Sequence, residues 1–279
     1  MVKIISDSGC MMSIKQGEEI GVKVLPLMVT IDNQTYDDIE EMQSPKFLDL
    51  ISKKFVPTSS QPAIGLVSEA MEEFAKEDDV LNITMADGLS GTYQSALGAR
   101  ELCENKERIT VLNSRTLCGP QKYVVEVAGR LAKEGKSVQE IVAYLEERMN
   151  DCRSYLMPSD FDFLKRGGRM TPLAATMGGL LKIKPVVTQT EDGKRLDKFH
   201  MGRTFMGSVD KILGELKNHN VGPEHKIYVS HADVQDKCDQ VVEKIKKEFP
   251  GVEIEIIELT PAMITQGGPG CVAIQFIRK

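Results

Sequence analysis

Short apolar runs and longer segments with helical spacing alternate through the first half of the chain. Residues 2–5, 80–85 and 109–112 are apolar runs that predict strands. Residues 119–133 and 138–149 place apolar side chains at helical spacing, with polar residues on the opposite face. Strands that alternate with amphipathic helices are typical of a parallel sheet covered on both faces. The pattern therefore predicts such a sheet, with helices on both faces.

The pattern changes in the second half, where hairpin signals separate the apolar runs. Asp192-Gly193 lies between the runs at 180–187 and 196–201, and an Asp-Gly pair favours a tight hairpin turn. The remaining segments predict strands at 154–157, 225–230, 252–259 and 271–277, and helices at 203–217 and 234–249. This order predicts a mixed or antiparallel sheet with flanking helices. We therefore expect two α/β domains, residues 1–158 and residues 159–279.

Four other segments carry weaker signals. Residues 22–31 are rich in β-branched side chains and contain Pro26, which predicts one strand with a bend. Residues 57–65 contain Pro57 and Pro62 on either side of residues 58–61, which predicts a stiff loop without regular structure. Residues 161–170 and 264–270 are rich in glycine, which predicts turns where the backbone approaches a ligand or a partner. The alternative for the first of these two is an ordinary tight turn with solvated charges.

Hydroxyl side chains cluster in three of the predicted connections. They occur at Ser6 to Ser8 after the first strand, at Thr58 to Ser60 between the prolines, and at Ser90 to Thr92 where a helix begins. Ligands of open α/β sheets bind beyond the carboxyl ends of the strands, and hydroxyl or N–H donors bind a carboxylate well. The three segments can therefore converge on one small anion. In the alternative, Ser90 caps its own helix and binds no ligand.

Composition and charge disfavour nucleic-acid and membrane partners. The net charge is −6, from 35 basic and 41 acidic residues, whereas phosphate binding calls for a basic face. No apolar run approaches the roughly 20 residues of a transmembrane helix. The N-terminal segment lacks the pattern of a signal peptide, because its apolar part is too short. We therefore expect a cytoplasmic protein without stable membrane insertion.

Residue spacing disfavours a metal site, a cofactor site and a catalytic centre. The six cysteines contain no C-x-x-C pair, and the four histidines do not have the spacing of metal ligands. The chain has no Walker A sequence, no G-x-G-x-x-G after a strand and no G-x-S-x-G elbow. We therefore expect no metal, no cofactor and no catalytic residue, so that the chain is not an enzyme.

Seven short segments, in order along the chain, resemble the DegV family of bacterial fatty-acid-binding proteins, which serve fatty acid kinase. Each segment is modest alone, but together they span the whole length of the chain. They are Ser6-Asp7-Ser8, Ser59-Ser60-Gln61-Pro62, Leu89-Ser90-Gly91-Thr92-Tyr93-Gln94-Ser95-Ala96, Leu164-Lys165-Arg166-Gly167-Gly168-Arg169, Leu181-Lys182-Ile183-Lys184-Pro185, Gly202-Arg203 and Gly268-Pro269-Gly270.

The resemblance implies that one long-chain fatty acid lies between two α/β domains, with its acyl chain buried. Its carboxylate would meet Ser59 and Ser90, in a site that also includes Gly91 and Thr92. A fatty acid kinase would phosphorylate the bound acid on this carrier, and the resemblance places Arg203, Arg169 and Gln266 as contacts for that kinase. We expect the carrier to be a monomer.

The chain departs from the family pattern at two of these positions. Ser59 replaces the usual threonine and keeps the hydroxyl. Gln266 stands where the family usually has a histidine, and glutamine cannot become a cation or transfer a proton. Two alternatives therefore stay open: a hydrolase in the cleft with Asp7 as its base, and a lipid-sensing regulator without a role in phosphoryl transfer.

Overall fold

A computed structural model of the chain describes residues 1–176 and 183–279. Its strands are β1 (Val2–Asp7), β2 (Val22–Leu25), β3 (Met28–Ile31), β4 (Gln34–Asp37), β5 (Thr58–Ser60), β6 (Asp79–Thr84), β7 (Ile109–Asn113), β8 (Cys152–Met157), β9 (Lys184–Gln189), β10 (Leu196–Gly202), β11 (His225–His231), β12 (Glu253–Glu258) and β13 (Val272–Arg278). Its helices are α1 (Ile14–Ile20), α2 (Ser44–Ser52), α3 (Ile64–Ala75), α4 (Thr92–Glu101), α5 (Gly119–Lys133), α6 (Val138–Asn150), α7 (Phe161–Gly167), α8 (Pro172–Ala175), α9 (Phe205–Asn218), α10 (Gln235–Glu248) and α11 (Pro261–Gly267), with short 3₁₀ turns at Ser8–Cys10 and Lys106–Arg108.

The first half of the chain forms a parallel sheet in the order β2-β1-β6-β7. Successive side chains of a strand point to opposite faces, so Ile4 and Ile5 enter different apolar clusters. Ile5 packs with α3 and α4, and Ile4 packs with α5 and α6. The predicted parallel sheet with helices on both faces is confirmed.

The second half forms a six-stranded sheet in the order β10-β9-β8-β13-β11-β12. Only β11 and β12 are parallel, and the other neighbours are antiparallel. The β9–β10 pair is the hairpin predicted around Asp192-Gly193. Helices α9 and α10 cover one face with apolar side chains that include Ile212 and Ile245. The predicted mixed sheet with flanking helices is also confirmed.

A small third sheet, in the order β4-β3-β5, corrects two predictions. Residues 22–31 are not one bent strand, because β2 and β3 separate at Pro26 and join different sheets. Residues 57–65 are not a loop throughout, because Thr58–Ser60 pairs with β3. The prolines lie outside these three paired residues, so they remove no hydrogen bond from the ladder.

The two glycine-rich segments are largely helical, which corrects the loops predicted there. In α7, the Asp160 side chain accepts a hydrogen bond from the Asp162 N–H, and Gly168 ends the helix at φ 70°. Gly167 is itself helical, so the paired glycines do not form an open anion-binding loop. Similarly, α11 begins at Pro261 and includes Gln266 in its last turn.

Part of one predicted segment lies outside the described residues. The helix predicted at Thr171-Pro172 begins as expected, because the Thr171 side chain accepts a hydrogen bond from the Ala174 N–H. Residues 177–182 include the first part of the strand predicted at 180–187 and the Leu181-Lys182 pair of the family-like segments. The described part of that strand begins at Lys184.

The two large sheets share one apolar core. This core joins Val124 of α5 to Tyr228 of β11 and to Ile264 of α11. Strand β8 precedes residue 158 but pairs with β9 and β13, which follow it. The boundary at residue 158 therefore stays a prediction about folding units. In the structure, the chain enters the second sheet before this residue, at β8. No helix in residues 1–176 or 183–279 has the length and apolar character needed to cross a bilayer.

Helix α5 meets the six-stranded sheet at a glycine. A Cβ added to Gly119 would overlap the Cβ and the ring of Tyr228, which is fully buried. The Gly119 N–H also donates to the Gln275 side-chain oxygen on β13. The missing side chain therefore allows the parallel-sheet half to pack closely on the second sheet.

We predict that Gly119→Ala lowers the free energy of unfolding by about 3 kcal/mol, since overpacking a rigid core forces side chains and backbone to move. Gly214→Ala is the matched control. Gly214 lies inside α9, and among the described residues nothing beyond its chain neighbours and its own helix backbone is within 4 Å of an added Cβ, so alanine there should stabilise by up to about 1 kcal/mol. Urea denaturation measures both effects, and similar changes in the two variants would contradict this account.

A buried carboxylate joins the start of α11 to the first half of the chain. Asp38 Oδ1 accepts from the Ala262 N–H at 3.0 Å, and Oδ2 accepts from Ser8 Oγ at 2.9 Å. Ser8 Oγ in turn accepts from the Leu27 N–H at 3.0 Å. Asp38 is fully buried, and this burial raises its pKa to about 6.

Because the pKa of Asp38 is raised, its charged form lowers the stability of the folded protein. Protonation of Asp38 as the pH falls removes this destabilisation. The folded protein holds the proton more tightly than the unfolded chain, so folding takes up a proton between pH 6 and pH 4. A rise from 3.8 to about 6 corresponds to about 3 kcal/mol. The free energy of unfolding of the parent protein minus that of Asp38→Asn should therefore increase by about this amount from pH 7 to pH 4.

This subtraction removes the contributions of the other groups that titrate in both proteins, including Asp7. Urea denaturation across the pH range measures the difference. A difference that stays constant with pH would show that Asp38 titrates alike in the folded and unfolded chains.

Candidate functional site

A cavity lies between the small sheet, α11 and the six-stranded sheet. The space between its lining atoms is about 1020 Å³, a volume that includes space open to solvent. Most of its wall is apolar, with side chains from the β2–β3 connection, the turn after β6, the start of α5, the second sheet and α11. They include Leu27, Met85, Leu89, Leu117, Leu156, Leu164, Val187, Leu196, Leu259 and Met263.

Polar side chains gather where β5, α11 and the turn before α4 meet. Ser59, on β5, and Gln266, on α11, both line the cavity, and Gln266 Nε2 donates to Ser59 Oγ at 3.3 Å. Ser90 lines the same cavity from the turn before α4. The structure thus brings together Ser59 and Ser90, which are distant in sequence. Ser60 and Gln61 also line the cavity.

Gly91 and Thr92 support Ser90. Ser90 Oγ and Thr92 Oγ1 lie 2.8 Å apart, and Ser90 Oγ accepts from the Thr92 N–H at 3.3 Å. Gly91, and not Ser90, is the N-cap of α4. A Cβ on Gly91 would lie 3.1 Å from Gln61 Oε1, so this glycine lets the two hydroxyl segments approach closely. Thr92 is buried, and neither residue is part of the cavity wall.

Arg169 also lines the cavity, next to Ser90. Its Nε donates to the Leu89 carbonyl oxygen at 3.1 Å, and its guanidinium also donates to the Gly167 carbonyl oxygen. Within the described residues, Arg169 forms no ion pair with a carboxylate. A cation therefore lies beside the hydroxyl groups with its position set by two backbone carbonyls.

Gln266 lies in the cavity wall and not on an exposed loop, because α11 places it there. A Cβ on Gly167 would overlap Gln266 Oε1, so the missing side chain at Gly167 allows α7 and α11 to pack around this amide. Arg203 is different: it is exposed after β10 and does not line the cavity. Of the three residues expected to contact a kinase, the structure therefore places two at the cavity and one on the surface.

The Ser6 to Ser8 segment does not reach the cavity, which corrects the expectation that three hydroxyl segments converge. Ser6 Oγ donates to the Ile83 carbonyl oxygen, and Ser8 Oγ bonds to Asp38 and Leu27 as described. Asp7 accepts from the N–H groups of Gly9 and Met85, and burial raises its pKa to about 6. Since Asp7 does not line the cavity, it has no access there as a base.

The sequence did not reveal three polar side chains from the second sheet that also line the cavity, namely Ser154, Gln189 and Gln275. One signal was present: Gln275 interrupts the apolar run Val272–Ile277 at the centre of a strand. Within residues 1–176 and 183–279, no group of three or more His, Cys, Asp or Glu side chains has the geometry to hold a metal ion.

Comparison with known proteins agrees with this architecture. A DegV domain-containing protein of Halalkalibacterium halodurans is 32% identical over 99% of this chain and 98% of its own length. The crystal structure of DegV from Bacillus subtilis, described as a fatty acid binding protein, has a TM-score of 0.88 at 28% identity, over 100% of this chain and 99% of that one.

A DegV family protein from Thermus thermophilus, whose structure is described by its fatty acid binding, has a TM-score of 0.89 at 26% identity. The match covers 100% of this chain and 99% of that one. The family model described as "Uncharacterised protein, DegV family" matches residues 1–279. These matches extend over the full length and agree with the two large sheets and their flanking helices. The chain therefore belongs to the DegV family.

Proposed function

We propose that the cavity binds one long-chain fatty acid, with its carboxylate at Ser59 and Ser90 and its acyl chain against the apolar wall. The observation that carries this proposal is the lining of the cavity: a mostly apolar wall that also contains the hydroxyl groups of Ser59 and Ser90 and the cation of Arg169. The fatty acid binding described for the Bacillus subtilis and Thermus thermophilus proteins supports it.

The hydrogen bonds of Ser59 and Ser90 leave donors for a carboxylate. Ser59 Oγ accepts from Gln266, so its own proton is free to point into the cavity. Ser90 Oγ accepts from the Thr92 N–H, and a proton from Thr92 Oγ1 would leave the Ser90 proton free as well. The guanidinium of Arg169 and the start of α4 both favour a negative charge nearby.

The acyl chain supplies most of the affinity in this proposal. Burial of roughly fifteen methylenes at ~0.8 kcal/mol each gives on the order of 12 kcal/mol of gross driving force. The hydroxyl groups contribute less energy, but they fix the direction in which the acid enters and select a carboxylate. The protein then needs no catalytic residue of its own, and it acts as a carrier.

We predict that Ser59→Ala and Ser90→Ala each weaken fatty acid binding by about 1.5–3 kcal/mol, because each removes a hydrogen bond to a charged group. Calorimetry of lipid-free protein with stearic acid measures the loss. Ser52→Ala is the matched control, since Ser52 is exposed at the end of α2 and its hydroxyl donates to the Asp49 carbonyl oxygen. If all three variants bind stearic acid with the affinity of the parent protein, then Ser59 and Ser90 do not contact the ligand.

Solvent extraction followed by mass spectrometry tests the ligand class directly. Protein purified without added lipid should release a long-chain acid. Release of no such acid from well-folded protein, together with no binding of added stearic acid, would refute the carrier function. Incubation of the protein with acyl esters separates a carrier from a hydrolase, since only a hydrolase would turn the esters over.

We further propose that the loaded protein presents the acid to a fatty acid kinase. Arg203 is exposed on the surface, and Arg169 and Gln266 lie at the carboxylate end of the cavity. This arrangement would let a kinase approach the carboxylate while the acyl chain stays buried. The carrier is expected to act as a monomer in the cytoplasm.

We predict that Arg203→Ala lowers acyl phosphate formation by a cognate kinase and leaves the affinity for stearic acid unchanged. Arg108→Ala is the matched control, because Arg108 is exposed just before β7, at the end of the parallel sheet away from the cavity. Kinase turnover and calorimetry on the same preparations measure both quantities. A loss of binding in Arg203→Ala would contradict a surface role.

A second candidate is a lipid-sensing regulator, which Gln266 favours because glutamine cannot transfer a proton. This candidate predicts normal fatty acid binding with no acyl phosphate when a cognate kinase is added. A gain of acyl phosphate formation in Gln266→His would support this candidate further, since it would show that the glutamine at residue 266 prevents phosphoryl transfer.

A further inference from the structure

Part of the cavity wall is a row of polar side chains. Strands β9 and β13 line the cavity with alternate residues, and β8 lines it with Ser154, Tyr155 and Leu156. One row across the three strands is apolar and consists of Leu156, Val187 and Ala273. The next row, here called the polar row, consists of Ser154, Gln189 and Gln275. Gln275 lies opposite Ser154 in the strand pairing. On the other side, Leu156 pairs with Val187 and Tyr155 with Thr188, and Ser154 and Gln189 are the next residues of these two strands.

The polar row lies away from the carboxylate end of the cavity. Gly267 follows Gln266 on α11 and packs on Leu156, since a Cβ there would lie 3.8 Å from Leu156 Cδ1. Ser154 is two residues further back along β8, about 7 Å from Leu156. On its other side, Gln275 reaches the Leu117 carbonyl oxygen. A fatty acid held at Ser59 and Ser90 would therefore meet the polar row with its acyl chain.

The hydrogen bonds of Gln275 leave one donor free on Ser154. Gln275 is buried, and its Nε2 donates to Ser154 Oγ at 2.8 Å and to the Leu117 carbonyl oxygen at 3.1 Å. Its Oε1 accepts from the Gly119 N–H at 3.3 Å, which fixes the orientation of the amide. Ser154 Oγ is thus an acceptor towards Gln275. Its own proton has no acceptor in residues 1–176 and 183–279.

Gln189 leaves one acceptor free beside that donor. Its Nε2 donates to the carbonyl oxygens of Arg115 at 3.1 Å and Gly193 at 3.2 Å. These two bonds fix which end of the amide carries the nitrogen. Gln189 Oε1 therefore has no donor from the part of the chain that the structure describes. The polar row offers an acyl chain one O–H donor and one carbonyl acceptor on neighbouring strands.

We infer that the cavity selects a fatty acid that carries a hydroxyl group on its acyl chain, an inference that rests on the proposed function. A hydroxyl accepts one hydrogen bond and donates one, so it matches Ser154 and Gln189 together. An unsubstituted chain displaces water from both groups and leaves them unpaired, which weakens binding. A hydroxylated chain replaces the water with equivalent hydrogen bonds.

Calorimetry of lipid-free protein tests this inference with stearic acid and a series of hydroxystearic acids whose hydroxyl moves along the chain. One position in the series should bind about five- to tenfold more tightly than stearic acid, which corresponds to about one net hydrogen bond. Ser154→Ala should abolish this preference, because it removes the O–H donor of the polar row. Ser230→Ala is the matched control, because Ser230 is buried in the same sheet, does not line the cavity and has no side-chain hydrogen-bond partner among the described residues.

The outcomes separate this inference from the proposed function. If stearic acid binds and no hydroxystearic acid binds more tightly, the inference is overturned and the proposed function stands. If none of the acids binds, both fail. A preference that survives in Ser154→Ala also overturns the inference. Gln189→Met provides a second variant that removes the acceptor, and circular dichroism verifies that each variant is folded.

Discussion

The buried carboxylate of Asp38 holds the elements of the cavity together. It accepts from the Ala262 N–H at the start of α11 and from Ser8 at the end of β1. Helix α11 then carries Met263 and Gln266 into the cavity wall, where Gln266 contacts Ser59. A charged group removed from water is costly unless its oxygens are paired, so this geometry is tightly specified. The position of Gln266, in the last turn of α11, therefore depends on the hydrogen bond that Asp38 accepts at the start of the same helix.

The cavity combines two kinds of surface with different roles. Its apolar wall provides affinity without direction, because the hydrophobic effect scales with area and not with geometry. Its polar groups provide direction, because each hydrogen bond demands a partner at a set distance and angle. The hydroxyl end and the polar row lie at different positions along the wall. In the proposed complex, a fatty acid would therefore meet polar groups both at its carboxylate and along its acyl chain.

The sequence predicted the two large sheets because their signals are local. Ile4 and Ile5, or the Asp192-Gly193 hairpin, reveal their structure within a few residues. The small sheet was missed because Thr58–Ser60 becomes a strand only by pairing with β3, across the whole of α2. The helix α11 was missed because glycines at residues 267, 268 and 270 obscured a helix that ends there. The polar row was not apparent either, because each of its members is a single polar residue in its own strand.

The small sheet has a consequence for how a ligand enters and leaves. Strand β5, which carries Ser59, consists of three residues and pairs with β3 alone. Short strands with few ladder hydrogen bonds are among the segments that open locally with less free energy than global unfolding requires. Loss of this one strand would move Ser59 out of the cavity wall while both large sheets stay paired. Exchange of the proposed ligand would then be a local event at β5.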